Sequence, residues 1–418
     1  MTDAAGSESW AYDKMGREWG EQRTINSITK TTSYTYNLDG SLATQTYPSG
    51  RLITYTVNAA SQPTSAEDVA NGIPYVSNAF YAPTGAIAIY SAGALSNYTT
   101  IYNNRLQPCW SYANTGSSSL PVNTACTGTA TAATVLDLKY NFHLGTDNGN
   151  IYSVTNDRDT TRSQTFTYDQ VNRIVTAQSN TTCGSNCWTQ AFTYDQWANL
   201  TTAVATGTAP PLNIAVNANN QVSTAGFGFD AAGNETADVT STYAWNAESE
   251  MKTGGGVNYT YDGDGDRVQK SNGKIYWYGA GSEILDETDA TGSTTNATFS
   301  EYIYFDGKRA ARRDYQSNVF YYFADQVGSA RGMAEVASGS HTASPCFDAD
   351  FYPFGGEHDF TNTCAQNYKF MGKERDPETN NDDFGARSYA SAYGRFLSAD
   401  WSSTPSPIPY ANLTTPKP

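Results

Sequence analysis

The sequence predicts an all-β chain, a long antiparallel ribbon of β-hairpins, on three observations: a composition of strand and turn formers, a recurring pair of aromatics, and turn chemistry directly behind each pair. The 418 residues include 30 Tyr, 17 Phe, 8 Trp and 35 Gly, with only 16% charged residues, against roughly 25% in an ordinary soluble domain. Tyr, Thr and Val favour strands, whereas Gly, Asn and Asp favour turns. Each aromatic can bury about 150–250 Å², so a large core needs few Leu or Ile.

The repeat justifies the strands in order. Trp10-Ala-Tyr12-Asp13-Lys-Met-Gly16-Arg17 opens the chain, and Tyr34-Thr-Tyr36-Asn37-Leu-Asp39-Gly40 follows. Phe166-Thr-Tyr168-Asp169 precedes Asn172-Arg173, and Phe192-Thr-Tyr194-Asp195 precedes Asn199. Phe227-Gly-Phe229-Asp230, Tyr243-Ala-Trp245-Asn246 and Tyr259-Thr-Tyr261-Asp262 complete the clearest set. Aromatics at i and i+2 share one face of a strand. The Asp or Asn behind them can bond its own downstream backbone, and Gly or Asn three or four residues on accepts a positive φ. Each copy is then one hairpin. A lone hairpin is marginal in water, so neighbouring repeats must bury the aromatic face. The opposite face, of Ser, Thr, Gly and Asn, is expected to be wet.

Residues 59–134 follow the repeat poorly, with Phe80-Tyr81 and Ile101-Tyr102-Asn103 as degenerate copies, and the ribbon is expected to continue there with longer loops. The six cysteines fall into local pairs, Cys109 with Cys126, Cys183 with Cys187 and Cys346 with Cys364, as hairpin-closing disulfides in an oxidising compartment would. A zinc site at Cys183 and Cys187 would need further ligands, and His143, His341 and His358 have no matching spacing. No metal or cofactor is expected. The net charge of −16 opposes nucleic-acid partners, which need clustered Lys and Arg. No run approaches the roughly 20 apolar residues of a membrane span. No basic and then apolar run follows Met1, so no signal peptide is visible; an upstream signal or a dedicated secretion machine is expected to supply export.

The Tyr12-to-Arg17 unit resembles the YD repeat, and the last third of the chain makes the resemblance specific. Asp325-Gln-Val-Gly328-Ser329-Ala-Arg331 resembles the Asp-His-Leu-Gly-Ser-x-Arg element of Rhs/YD-repeat proteins, and Phe351-Tyr352-Pro353-Phe354-Gly355 resembles their Tyr-x-Pro-Phe-Gly. The run from Tyr368 through Gly372-Lys373-Glu374-Arg375-Asp376, Phe384-Gly385-Ala386-Arg387 and Gly394-Arg395-Phe396-Leu397-Ser398-Ala399-Asp400 resembles the Rhs repeat-associated core segment. The resemblance implies a ribbon that spirals into a hollow shell, as in the C components of Tc toxins and in teneurins, with the core segment plugging one end. It divides the chain into a ribbon at 1–340, a core segment at 341–400 and a Pro-rich tail at 401–418.

The resemblance also implies a non-enzymatic role: a secreted or surface-displayed bacterial shell that encloses and delivers a C-terminal toxin effector, with that effector or a secretion-machine component as partner. Oligomeric state is left open. Family members cut themselves through paired aspartates beyond the core segment. Asp400, with Arg395 nearby, matches the first of these, while the second and the scissile segment have no counterpart here, so autoproteolysis by this chain is not expected. A third reading is an extracellular carbohydrate-binding or adhesion module, in which Trp188, Trp197, Trp245 and Trp277 stack on cell-surface glycan. Asp262-Gly-Asp264-Gly-Asp266 has the alternating acids of a calcium loop, but Arg267 and Gly273 stand where that loop needs Gly and Glu, which leaves a repeat turn. Lys373 to Asp376 is expected to be a salt-bridged surface or plug feature.

Overall fold

The computed structural model describes residues 1–93, 96–115, 125–128, 135–146, 148–340 and 342–400. His341, the stretch 401–418 and much of the small-residue loop after Ser111 lie outside the described residues. Strand after strand pairs antiparallel with its successor. Seventeen strands from Gly6 to Asn213 form the first sheet and twelve from Tyr243 to Asn362 form another. A two-stranded piece at Gly228–Phe229 and Glu235–Ala237 lies between them in sequence, and four short strands from Glu374 to Phe396 close the described chain. The only helices among the described residues are single 3-10 turns such as Thr160–Arg162 and Phe370–Gly372. The degenerate stretch after residue 59 is strand as well, with Pro63–Asp68, Ile73–Tyr81, Ile87–Ala92, Ser96–Tyr102 and Pro108–Thr115 all in the first sheet.

The repeat turn has one geometry throughout. At Asp13 the backbone N–H donates to the Arg17 carbonyl at 2.8 Å, while Oδ1 accepts from the N–H groups of Met15 at 2.8 Å and Arg17 at 3.0 Å. The same side-chain pair of acceptances recurs at Asp169, Asp195 and Asp262. It recurs with asparagine at Asn58, Asn103 and Asn246. The second aromatic sits where the register slips, as at Tyr12, Tyr168, Tyr194 and Tyr261. A β-bulge of this kind re-aims the strand into the turn. The residue three beyond the Asp or Asn is left-handed: Gly16 at φ 78° and Asn172 at φ 64° as expected, but also Ala198 at 67° and Leu106 at 64°. At those two positions the bulge and the amide bonds to the Asx side chain hold a conformation that the residue itself disfavours.

Successive repeats are tied by the second aromatic. The hydroxyl of Tyr36 donates to the Glu18 carbonyl at 2.6 Å, that of Tyr168 to Ile151 at 2.6 Å, and that of Tyr194 to Ile174 at 2.7 Å. Arg17 lies over the Tyr36 ring at 4.6 Å and Arg173 over the Tyr194 ring at 4.7 Å. The Arg that ends one turn thus caps the Tyr that begins the next.

The main core lies where the two large sheets face each other. Tyr47, Ile53, Tyr75, Tyr90 and Leu138 of the first pack with Leu285, Ile303, Phe305, Tyr321 and Phe323 of the second. The wet opposite face holds in strands such as Gln164–Tyr168, where exposed positions alternate with buried or half-buried ones. It fails in the second sheet: Val319–Phe323 and Ile275–Trp277 are buried at every position. Other parts of the chain cover both faces there, a tertiary fact that periodicity does not carry. The structure joins Cys109 to Cys126, Cys183 to Cys187 and Cys346 to Cys364.

Candidate functional site

The distinctive chemistry of the molecule is a buried ionic seam along which the core segment meets the ribbon. In the strand Arg267–Lys270, which follows the Asp262 turn, Arg267 and Lys270 project towards the core segment and are 4% and 1% exposed. Arg267 donates to Asp376 at 2.6 Å and to Glu374 at 2.9 Å, and pairs with Asp383 at 3.0 Å. Lys270 reaches Asp376 at 2.5 Å and Glu378 at 3.1 Å, and Lys274 bridges Glu287 at 2.9 Å and Glu374 at 3.3 Å. Hydroxyls finish the set, with Tyr276 donating to Glu374 at 3.0 Å and Tyr368 to Glu287 at 2.6 Å. Burial alone would push the Glu374 carboxyl up; Lys274, Lys270 and Arg267 reverse this and hold it well below the ordinary carboxylate range. The Glu374 and Asp376 of the Lys373–Asp376 run are therefore interior and not surface groups.

A second set locks the motif residues to the first sheet. Arg162, one turn beyond Asn156, forks both Asp348 at 2.8 Å and Asp350 at 2.9 Å and lies over the Phe360 ring at 3.9 Å. Arg331, the last residue of the Asp325–Arg331 element, pairs with Asp350 and donates to the Ala349 carbonyl at 2.8 Å. Tyr352 donates to Thr208 at 2.9 Å, and the Phe354 ring meets Phe192 edge-on at 5.4 Å. Gly355 has φ 95°, and a Cβ there would stand 2.5 Å from the Phe370 ring. Glycine at the end of the Phe-Tyr-Pro-Phe-Gly run is thus required by a close approach to the core segment. Within that segment Arg375 forks Asp382 at 2.7 and 2.9 Å and donates to the Gly355 carbonyl at 2.9 Å.

Glu235 meets the end of the core segment. Its N–H donates to the Leu397 carbonyl at 2.7 Å and its carboxyl accepts from the Tyr393 hydroxyl at 2.5 Å. Burial pushes this carboxyl up to about 7.

The residues expected to carry chemistry lie apart in their contacts. Arg395 donates to Asn199 at 3.1 Å and to the Asn220 carbonyl at 2.6 Å, stitching the core segment to two repeat turns. Asp400 has a side chain 79% exposed and pairs with Arg387 at 3.3 Å. Of the four tryptophans, Trp188 and Trp277 are buried, Trp245 donates its indole N–H to the Glu235 carbonyl at 2.6 Å, and Trp197 is exposed at a turn tip. They form no exposed row. Among the described residues no group of three or more His, Cys, Asp or Glu could hold a metal ion, and no helix is long and apolar enough to cross a membrane.

The sequence gives no sign of the roles of Arg162, Lys270 and Lys274, and marks Arg267 only as a departure from a calcium loop. The available signal was charge at strand positions, as in Arg267-Val-Gln-Lys270, but a wet face accounts for such charges equally well until its cover is known.

The described chain is thus an antiparallel hairpin ribbon, folded onto itself and joined to its C-terminal segment by buried ion pairs. Comparison with known proteins finds likeness in sequence and in fold. It is similar to the tRNA nuclease WapA of Bacillus subtilis (strain 168), 29% identical over 213 residues that cover 48% of this chain and 9% of that protein. It is 30% identical over 213 residues to a WapA nuclease of Bacillus spizizenii, again over 9% of that protein's length. The crystal structure of TcdB2-TccC3 without its hypervariable C-terminal region matches over 95% of this chain and 22% of that one, with a TM-score of 0.74 at 19% identity. The Photorhabdus luminescens Tc holotoxin pore matches over 94% of this chain and 22% of that one, with a TM-score of 0.74 at 17% identity. No family model matches the chain. The chain therefore shares the fold of part of TcdB2-TccC3 and has a distant sequence likeness to a small part of WapA, and its resemblance to Rhs/YD-repeat proteins holds in sequence and in fold.

Proposed function

We propose that the chain is a section of the wall of a YD-repeat shell in a secreted bacterial protein, and that the shell encloses and delivers a C-terminal toxin effector. The observation that carries this reading is the ionic seam: a segment similar to the Rhs core is fixed against the ribbon by buried, multiply paired charges. Such pairs are costly to desolvate and costly to break singly, which suits a fixed plug and not a mobile regulatory arm. The ribbon spans residues 1–340, the core segment 341–400 and the tail 401–418. Asp400 and Arg395 are in this reading turn and stitching residues. The glycan-binding alternative finds no support in the placement of Trp188, Trp245 and Trp277.

A protease-sensitive polypeptide appended to the C-terminus tests the proposal. It is expected to be cleaved several-fold more slowly than the same polypeptide on an unrelated globular carrier, and protection should vanish when the carrier is unfolded. Equal cleavage rates on the two carriers would overturn it.

A further inference from the structure

Two partly open cavities, of about 770 Å³ and 250 Å³, meet at a patch where both are lined by Lys308, Arg309, Tyr322, Ala324 and Gln326. Arg309 is placed there by the hairpin of Ser300–Phe305 and Lys308–Asp314, which sets it directly across from Tyr304. Every contact of its guanidinium among the described residues is with a neutral group. It donates to the Gly372 carbonyl at 3.1 Å and to the Tyr304 hydroxyl at 2.9 Å, and its Cζ stands 3.4 Å from the centroid of the Tyr368 ring. Arg162, Arg267, Lys270 and Arg331 are each paired with carboxylates, whereas Arg312, like Arg309, meets a carbonyl, that of Ala365, and an aromatic ring, that of Phe320. Arg309 is half-buried; a guanidinium stays charged at any accessible pH, and a partly desolvated cation without a counter-charge is costly.

Three buried polar atoms at this patch have no hydrogen-bond partner: Arg309 Nε, Tyr322 Oη and Gln326 Oε1. Tyr322 is 5% exposed. Buried polar groups of this kind call for a polar partner. Arg309 Nε offers one N–H, Tyr322 one O–H, and the Gln326 amide either an acceptor or, turned over, two further N–H donors. One positive charge with a small set of neutral donors suits one negative charge delocalised over two oxygens. Asp266, Glu283, Glu374 and Asp383 also line the larger cavity and Asp325 the smaller, which disfavours a doubly charged phosphate.

We propose that Arg309, Tyr322 and Gln326 form a carboxylate-binding site at the junction of the two cavities. The ligand is a single carboxylate, supplied by a peptide or by a free small acid. The site rests on the geometry of the second sheet and stands whether or not the chain is a shell wall.

The test is a fluorine NMR titration of trifluoroacetate with the full chain. Saturable line broadening is expected, weakened roughly tenfold in Tyr322→Phe, as loss of a hydrogen bond to a charged group implies, and abolished in Arg309→Gln. Tyr322→Phe removes only the hydroxyl, so it decides the matter if Arg309→Gln fails to fold. Competition separates the sources: a capped Gly-Glu-Gly peptide displacing the probe at lower concentration than acetate assigns the ligand to peptide, and equal displacement assigns it to free acids. Absent broadening, broadening unchanged in Tyr322→Phe, or stronger competition by inorganic phosphate than by either carboxylate would overturn the proposal.

Discussion

At Asn103 the side-chain oxygen accepts from the N–H groups of Arg105 at 2.8 Å and Gln107 at 3.1 Å, and its amide donates to Gln107 Oε1 at 2.7 Å. Asn103→Ala removes these bonds from a buried turn and is expected to cost about 1–2 kcal/mol, read by chemical denaturation. Three residues on from another turn residue, Asp195, Ala198 holds φ 67°. Ala198→Gly is expected to stabilise by about 1 kcal/mol, because glycine carries no penalty there; an unchanged or lowered denaturation midpoint would count against the turn geometry. The ionisable residues divide by pH. Hydrogen bonds from the Ser41 and Ser61 hydroxyls hold Asp39 down to about 2, so its contribution is complete above the ordinary Asp value and is lost as pH falls towards 2. Glu235 runs the other way: with its folded value raised to about 7, the native state binds the extra proton between about 4.5 and 7. Stability therefore falls as pH rises through that window, by roughly 3 kcal/mol in all. Glu235→Gln should flatten this slope in denaturation measured from pH 4.5 to 8.

Each hairpin is legible in the sequence because it is local: two aromatics, an Asx residue and a left-handed position fit within eight residues, and both the bulge and the turn follow from them. The lock from Tyr168 to the Ile151 carbonyl was not legible, since it needs the register between repeats. Nor was the seam. Arg267 and Glu374 are far apart in sequence, and their strands carry no shared period, so only the folded chain shows that they pair. The motif residues were legible as a set before their reasons were: Gly355 stands where Phe370 would clash with any side chain, and Arg331 where Asp350 needs a partner. Breaking the seam from one side is the informative experiment at this scale. Arg267→Ala leaves Glu374, Asp376 and Asp383 short of a cation and is expected to cost about 3–5 kcal/mol. Its local signature is faster limited proteolysis within 374–396 than within the first sheet.

At the scale of the molecule, the two large sheets act as facing layers whose shared core of Tyr47, Tyr75, Tyr90, Ile303, Tyr321 and Phe323 holds the ribbon folded back on itself. The core segment then closes against the second sheet through the Arg267 pairs, and the Arg162 pairs tie Asp348 and Asp350 to the first sheet. Consecutive pairing alone would permit an open, extended ribbon; the interlayer core and the ionic seams select the folded-back form. The central claim is that both large sheets and the core segment form one body. Small-angle X-ray scattering of the full chain tests it most directly. The account predicts a pair-distance distribution with a single broad maximum that matches the folded-back ribbon, and a distribution with two maxima, from separate compact bodies joined by a linker, would contradict it.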